Sequence, residues 1–297
     1  MTRIVVLLAA ILAAAAAVQG SQATFTASKT NSGSSFATAA KFPPTVTLTA
    51  PANGSATNDT TPTLSGAADN STGDNPTITI KIYSGSTATG TVVQTLTATR
   101  SGTSWTKTAA ALAQGTYTAV ATQTDTSGNT GTSSANTFKI DTTAPTATNI
   151  SATNTPGGTA GRIESGDTLT YTYSEAVTPA SVWTGWDGSS TAVHIKFTSS
   201  GNDTITVLTT ADATSIKLGS VATNADYVTT TTTFSATMAL SSDGTSVVVT
   251  LGTPANVSAS ASPGRNMSWT PNASVKDLAG NAASTTPYNE TDSDVDF

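Results

Sequence analysis

The side chains able to do chemistry are few. His194 is the only histidine, and there is no cysteine. Thiol chemistry, cysteine-based metal sites and any two-histidine zinc site are thereby excluded. A Ser-His-Asp triad would have to use His194, but the chain contains no Gly-x-Ser-x-Gly elbow. His194 falls in the alternating stretch from Ala192 to Phe197, opposite Val193 and Ile195, which marks it as an outward-facing strand residue. Glu164, Asp167 and Glu175 are close enough in sequence to supply the paired carboxylates of glycoside hydrolysis. Asp167 and Glu175, however, flank a strand-like stretch, and the expectation is no catalytic residue and no enzyme.

Two polar loops remain. Asp69-Asn70-Ser71-Thr72-Gly73-Asp74-Asn75 gathers several oxygen donors, and Ca²⁺ takes six to eight. It has no EF-hand spacing, and Asn, Asp and Gly are also the residues of tight turns. It is read as a turn, with no cofactor expected, Ca²⁺ as the alternative, and a melting temperature unmoved by calcium. Trp183-Thr184-Gly185-Trp186-Asp187-Gly188 places two aromatics three residues apart. Trp183 and Trp186 could stack on a sugar ring while Asp187 accepts hydroxyl hydrogen bonds. The competing reading, which we prefer, is that one or both rings plug the end of a β-sandwich.

Composition narrows the partners. Only 10% of the 297 residues are charged, the net charge is -6, and acids dominate from residue 145 onward. No basic patch exists for nucleic acid or an anionic membrane surface. Ile4 to Val18 is an unbroken apolar run behind Arg3, followed by Gln19-Gly20-Ser21-Gln22-Ala23. That run falls short of the roughly 20 residues of a membrane span and fits a secretory signal covering residues 1–23. No stable membrane span is expected after its removal. Neither a Leu-Pro-x-Thr-Gly sorting signal nor a C-terminal apolar tail follows, so surface retention is expected to be non-covalent.

The elements that must hold these loops are strands. Ile78, Ile80 and Ile82 alternate with Thr77, Thr79 and Lys81; Val46 and Leu48, the run Leu169-Tyr171-Tyr173, and Val193-Ile195-Phe197 follow the same period. Ser246 to Leu251 reads as a strand buried on both faces. No helical period is present outside the signal segment. The fold class is therefore all-β. Phe42-Pro43-Pro44 and Asp141-Thr142-Thr143-Ala144-Pro145 look like short stiff linkers, because proline removes a ladder donor and restricts its predecessor. Between them lie about 100 residues with the turn rhythm of an immunoglobulin-like sandwich. Gly115-Thr116-Tyr117 opens a strand in the manner of a tyrosine corner, and Trp105 is expected in the core. Asp125-Thr126-Ser127-Gly128-Asn129 supplies a hairpin turn, and Asp277-Leu278-Ala279-Gly280-Asn281 repeats its pattern.

Gly115-x-Tyr117, Thr124-Asp125-x-x-Gly128-Asn129, Asp141 and Pro145 together resemble the bacterial Ig-like domains of secreted adhesins and surface proteins, over residues 43–144. Gly166 to Val177 with Val275 to Ala282 is similar to the Ig-like domains associated with bacterial S-layer proteins. Roughly 85 residues between the strand around Tyr173 and the strand bearing Met267 and Trp269 imply extra strands or an inserted subdomain. Ala23 to Phe36 resembles the start of mature biofilm-fibre proteins of Gram-positive bacteria. The resemblances imply tandem Ig-like β-sandwiches at 43–144 and 145–289, the second enlarged by an insertion between Val182 and Pro263. A Ser/Thr-rich segment at 24–42 precedes them and an acidic tail at 290–297 follows. The function they imply is a secreted, non-enzymatic spacer or adhesion protein of a bacterial cell surface or extracellular matrix. Its partner would be a cell-wall or host-surface polysaccharide or protein, or another copy of itself. The alternative is a carbohydrate-binding protein using Trp183, Trp186 and Asp187.

Overall fold

In the first half, Ile78, Ile80 and Ile82 are fully buried while Thr77, Thr79 and Lys81 face outward. This period of two is what a half-covered sheet demands of β-branched residues. The computed structural model describes residues 42–211, 214–254, 265–291 and 297. The expected signal segment, the Ser/Thr-rich stretch and its fibre-like start, residues 255–263 of the expected insertion, and most of the acidic tail lie outside them. Pro43–Phe297 forms one unit with two hydrophobic cores. The first core draws on residues from Val46 to Ile140 and the second on residues from Ile150 to Phe297.

The first module contains β1 (Ser55–Thr57), β2 (Thr63–Ala67), β3 (Asp74–Ser84), β4 (Val92–Thr99), β5 (Ser104–Thr108), β6 (Gly115–Asp125), β7 (Thr130–Thr132) and β8 (Asn136–Ile140). One sheet has the order β1-β8-β6-β3-β4, with β7 also on β6; β2 and β5 form the other. All pairings are antiparallel except β1 with β8. The Val46–Ala50 segment extends the small sheet through isolated bridges to Ala68 and Ser65. Trp105 is 3% exposed and donates its indole N–H to the Ala67 carbonyl at 3.1 Å. The Tyr117 hydroxyl donates to the Ala113 carbonyl at 2.9 Å, four residues upstream, which makes it a tyrosine corner. Ala119, beside it in β6, is fully buried.

The second module contains β9 (Ala147–Thr153), β10 (Thr168–Tyr173), β11 (Thr191–Thr198), β12 (Thr204–Leu208), β13 (Ser220–Ala222), β14 (Thr232–Leu240), β15 (Ser246–Pro254), β16 (Ser268–Thr270) and β17 (Tyr288–Asn289). They form a single antiparallel sheet in the order β17-β16-β13-β12-β11-β14-β15-β10-β9. β9, at one end, lies against β16 and β17 at the other, so the sheet curls around its core. The strands β11 to β15 are inserted between β10 and β16 in sequence and occupy the middle of the same sheet. The alternative of extra strands is therefore the one realised. Trp269 is fully buried and meets Tyr171 and Tyr173 edge-on, at 5.2 and 4.9 Å between ring centroids. Truncating a Trp in such a core costs about 3–5 kcal/mol.

One sequence reading needs correction. Ser246 to Leu251 is not buried on both faces. Val247, Val249 and Leu251 are buried, whereas Ser246, Val248 and Thr250 are half-buried. The sheet covers only its concave side, and the valine run simply continues across a half-buried outer face. Among the described residues there is one helical turn, Pro179–Val182, four residues long and too short to show a period, and the all-β reading stands.

Candidate functional site

The two Asp-x-x-Gly-Asn segments build the same turn. In the first, Asp125 Oδ1 accepts the amides of Ser127 and Asn129, both at 2.9 Å, and Oδ2 accepts the Asn129 side-chain amide at 2.9 Å. In the second, Asp277 Oδ1 accepts the Asn281 amide and Oδ2 its side-chain amide, both at 2.7 Å. Gly128 and Gly280 have φ of +87° and +95°, a conformation that a Cβ disfavours. The motif therefore folds locally, with its own asparagine donating hydrogen bonds to its own aspartate.

What surrounds each turn is different. The first packs against the β3 entry, where the Thr126 amide donates to the Gly73 carbonyl. The second bears on the first module: the Asn58 amide donates to the Ala279 carbonyl at 3.1 Å, and the Asn281 side chain to the Asp141 carbonyl at 2.8 Å. The connecting segment is pinned as well. Gln114 bonds the hydroxyls of Thr142 and Thr143, and the Ser284 amide donates to the Pro145 carbonyl.

At this junction carboxylate oxygens of Asp141, Glu175 and Asp277 lie within 4.8 Å of one another. Asp141 comes from the end of the first module, Glu175 from just beyond β10, and Asp277 from the repeated turn. Asp141 and Asp277 are 4% and 3% exposed; Glu175 is half-buried, with Oε1 shielded from solvent and without a hydrogen-bond partner. Lys139 reaches in from β8, its ammonium 2.6 Å from Asp141 Oδ2. That hydrogen bond holds the Asp141 carboxyl below its usual range and is the largest cause of the raised Lys139 value. Glu175 is pushed up, first by burial and then by the charges of Asp141 and Asp277. Three like charges with one ammonium beside them form an under-neutralised cluster, suited chemically to an added cation or proton.

The residues singled out from sequence are distributed elsewhere. Trp186 is 6% exposed, with its indole N–H donated to the Ser189 carbonyl at 2.7 Å, and Trp183 is half-buried against the core. Asp187 Oδ1 accepts the Ser189 amide and hydroxyl, which lowers its carboxyl below the usual range. The three residues line a shallow recess, with one ring committed to packing. In the Asp69–Asn75 loop, Asp69 caps Ser71 and Asn75 bonds Thr124, the pattern of a turn. Asp167 is fully buried and clamps its loop by accepting the amides of Thr155 and Glu164; burial raises its carboxyl. Glu164 accepts the Thr159 amide. His194 is half-buried in β11 between β12 and β14. Among the described residues, Asp141, Glu175 and Asp277 are the only acidic or histidine group with metal-like spacing.

Sequence reasoning named Asp141, Glu175 and Asp277 singly, as linker, strand flank and turn, but did not bring them together. The available signal was position alone: Asp141 closes the first module just before the second begins, and the second turn lies near the second module's end.

Among solved structures, the fibronectin(III)-like modules of Clostridium thermocellum CbhA are similar at 14% identity, covering 70% of this chain and 90% of that one, with TM-score 0.28. Dimeric latent PorU from Porphyromonas gingivalis is similar at 16% identity, covering 71% and 20%, with TM-score 0.27. The BSP domain of a biofilm associated protein follows at 18% identity, covering 72% and 30%, with TM-score 0.21. No curated protein matches the chain. No helix of the described residues is long and apolar enough to cross a membrane. The family match coincides with the first module: residues 49–142 match the model of the bacterial Ig-like domain.

Proposed function

We propose that the chain is a non-enzymatic structural protein of a bacterial surface or extracellular matrix, whose two β-modules act as a spacer with a fixed joint. The observation that carries this reading is the junction. Asn58, Asp141 and Lys139 of the first module meet the Asp277–Asn281 turn and Glu175 of the second. A tether needing only reach would leave such a linker free; this one is bonded by the modules on either side at Asp141, Thr142, Thr143 and Pro145. The bacterial Ig-like match supports an extracellular setting, and the burial of Trp186 favours a packing role over a sugar platform. Antibody labelling of intact producing cells tests the location. Labelling before permeabilisation is expected; labelling only afterwards contradicts the proposal.

A second reading concerns the joint's ligand. The shielded, unpartnered Glu175 Oε1 among three carboxylates fits a hard divalent cation such as Ca²⁺, with water completing its shell. Lys139, whose side chain is 52% exposed, has room to move aside. Binding at 100 times Kd would add about 2.7 kcal/mol to stability. Scanning calorimetry in calcium against chelator should then show a melting temperature several degrees higher, with the gain lost in Glu175→Gln and kept in Asp69→Asn. An unchanged melting temperature would return the cluster to the cofactor-free expectation.

A further inference from the structure

The outer strand of the first module's larger sheet is guarded only at its start, by a bulge between Val92 and Gln94 and by the two bonds of the Gln94 side chain to the Ala110 backbone, and it is open over Thr95–Thr99. β4 (Val-Val-Gln-Thr-Leu-Thr-Ala-Thr, 92–99) carries no charge, proline or glycine, the features with which edge strands ordinarily resist pairing. The other edges are blunted. β1 and β7 have three residues each and β17 two. β2 is bonded to the Val46–Ala50 segment, β5 carries Lys107, and β9 lies against β16 and β17.

The ladder shows which groups are open. The Arg100 amide donates to the Pro76 carbonyl at 2.9 Å, so antiparallel alternation turns Ala98 and Leu96 toward β3. The amides and carbonyls of Thr95, Thr97 and Thr99 therefore point away from the sheet. No hydrogen bond reaches these six groups from any described residue. The three threonine side chains are exposed on the outer face, beside Lys81, Thr79 and Thr77 of β3.

We propose that β4 is a self-pairing edge: two copies of this chain join antiparallel through it, across a two-fold axis centred on Thr97. That register sets Thr97 opposite itself and Thr95 opposite Thr99 of the second copy, and so uses all six open backbone groups. The side-chain rows across the joined sheet run Thr79-Thr97-Thr97-Thr79 and Lys81-Thr95-Thr99-Thr77, with no like charges facing. A neutral threonine edge offers nothing to select a charged or bulky foreign peptide. Its match to itself is complete, and a two-fold pair of this kind closes as a dimer. The proposal does not depend on the spacer reading.

The chain's lack of cysteine makes the test direct. Opposed residues in a hydrogen-bonded antiparallel pair have Cα atoms about 5.5 Å apart, within disulfide reach. The full-length Thr97→Cys variant should oxidise to a covalent dimer as the main product. Thr95→Cys should not, because its symmetry mate lies opposite Thr99, four residues along the ladder. Sedimentation of the wild-type chain should show a concentration-dependent dimer, weakened at least tenfold by Thr97→Lys, an exposed change that leaves the melting curve unaltered. A monomer at every concentration, equal crosslinking at 95 and 97, or a dimer indifferent to Thr97→Lys would each overturn the proposal. So would exchange-protected β4 amides in a monomer, which would mean that the chain covers its own edge.

Discussion

The turns at Asp125–Asn129 and Asp277–Asn281 share sequence, hydrogen bonding and a left-handed glycine, yet only the second lies where the two modules meet. The first closes a hairpin against its own module. The second touches Asn58 and Asp141 of the neighbouring module and shares space with Glu175. A local motif thus specifies a shape, whereas its role is set by what the chain brings alongside. The entry to the first module illustrates the point: the residues before Pro43 are Ala40-Lys41-Phe42, with no aspartate matching Asp141.

The largest expected effect tests the shared half of this comparison. Asp125→Ala and Asp277→Ala each remove a buried aspartate and the bonds with which it holds its own turn. Each should cost its module about 2 kcal/mol or more, measured by chemical denaturation. A loss confined to one of the two would show that the turns are not equivalent even locally.

A smaller effect tests the half that differs, through pH. Glu175 has a folded value raised above 4.5, so its ionised form burdens the fold. In chelator, that burden should lift as pH falls through the raised value toward 4.5. Asp141 is the opposite case. Its folded value lies below 3.8, so its stabilisation holds above 3.8 and disappears as pH falls through the folded value. Glu175→Gln should therefore be more stable than wild type at pH 7 and equal to it near pH 4.5. Because the cluster is partly solvated, the difference should stay within about 1 kcal/mol. An advantage that persists unchanged at low pH would remove Glu175 from the cluster's electrostatics.

Much of the fold was legible in the residues. Ile78, Ile80 and Ile82 announced their strand by period, Tyr117 by its glycine, and the Asp125 turn by its composition. The nine-stranded curl of the second module was not, because strand order is a long-range outcome that no local period encodes. Ser246 to Leu251 misled for a related reason: a run of valines suits a buried strand, but burial is decided by what covers each face. The site was hidden by the same physics. Asp141 and Asp277 are 136 positions apart in sequence, and each has a sufficient local reason to be there. Only the packing of one module against the next reveals that both point into one space with Glu175.

The most direct test is to measure residual dipolar couplings from both modules in the wild-type chain, in Asp125→Ala and in Asp277→Ala. A fixed joint built by the second turn predicts one shared alignment tensor for wild type and Asp125→Ala, and two independent tensors for Asp277→Ala. Independent tensors in the wild type, or a shared tensor that survives in Asp277→Ala, would contradict it.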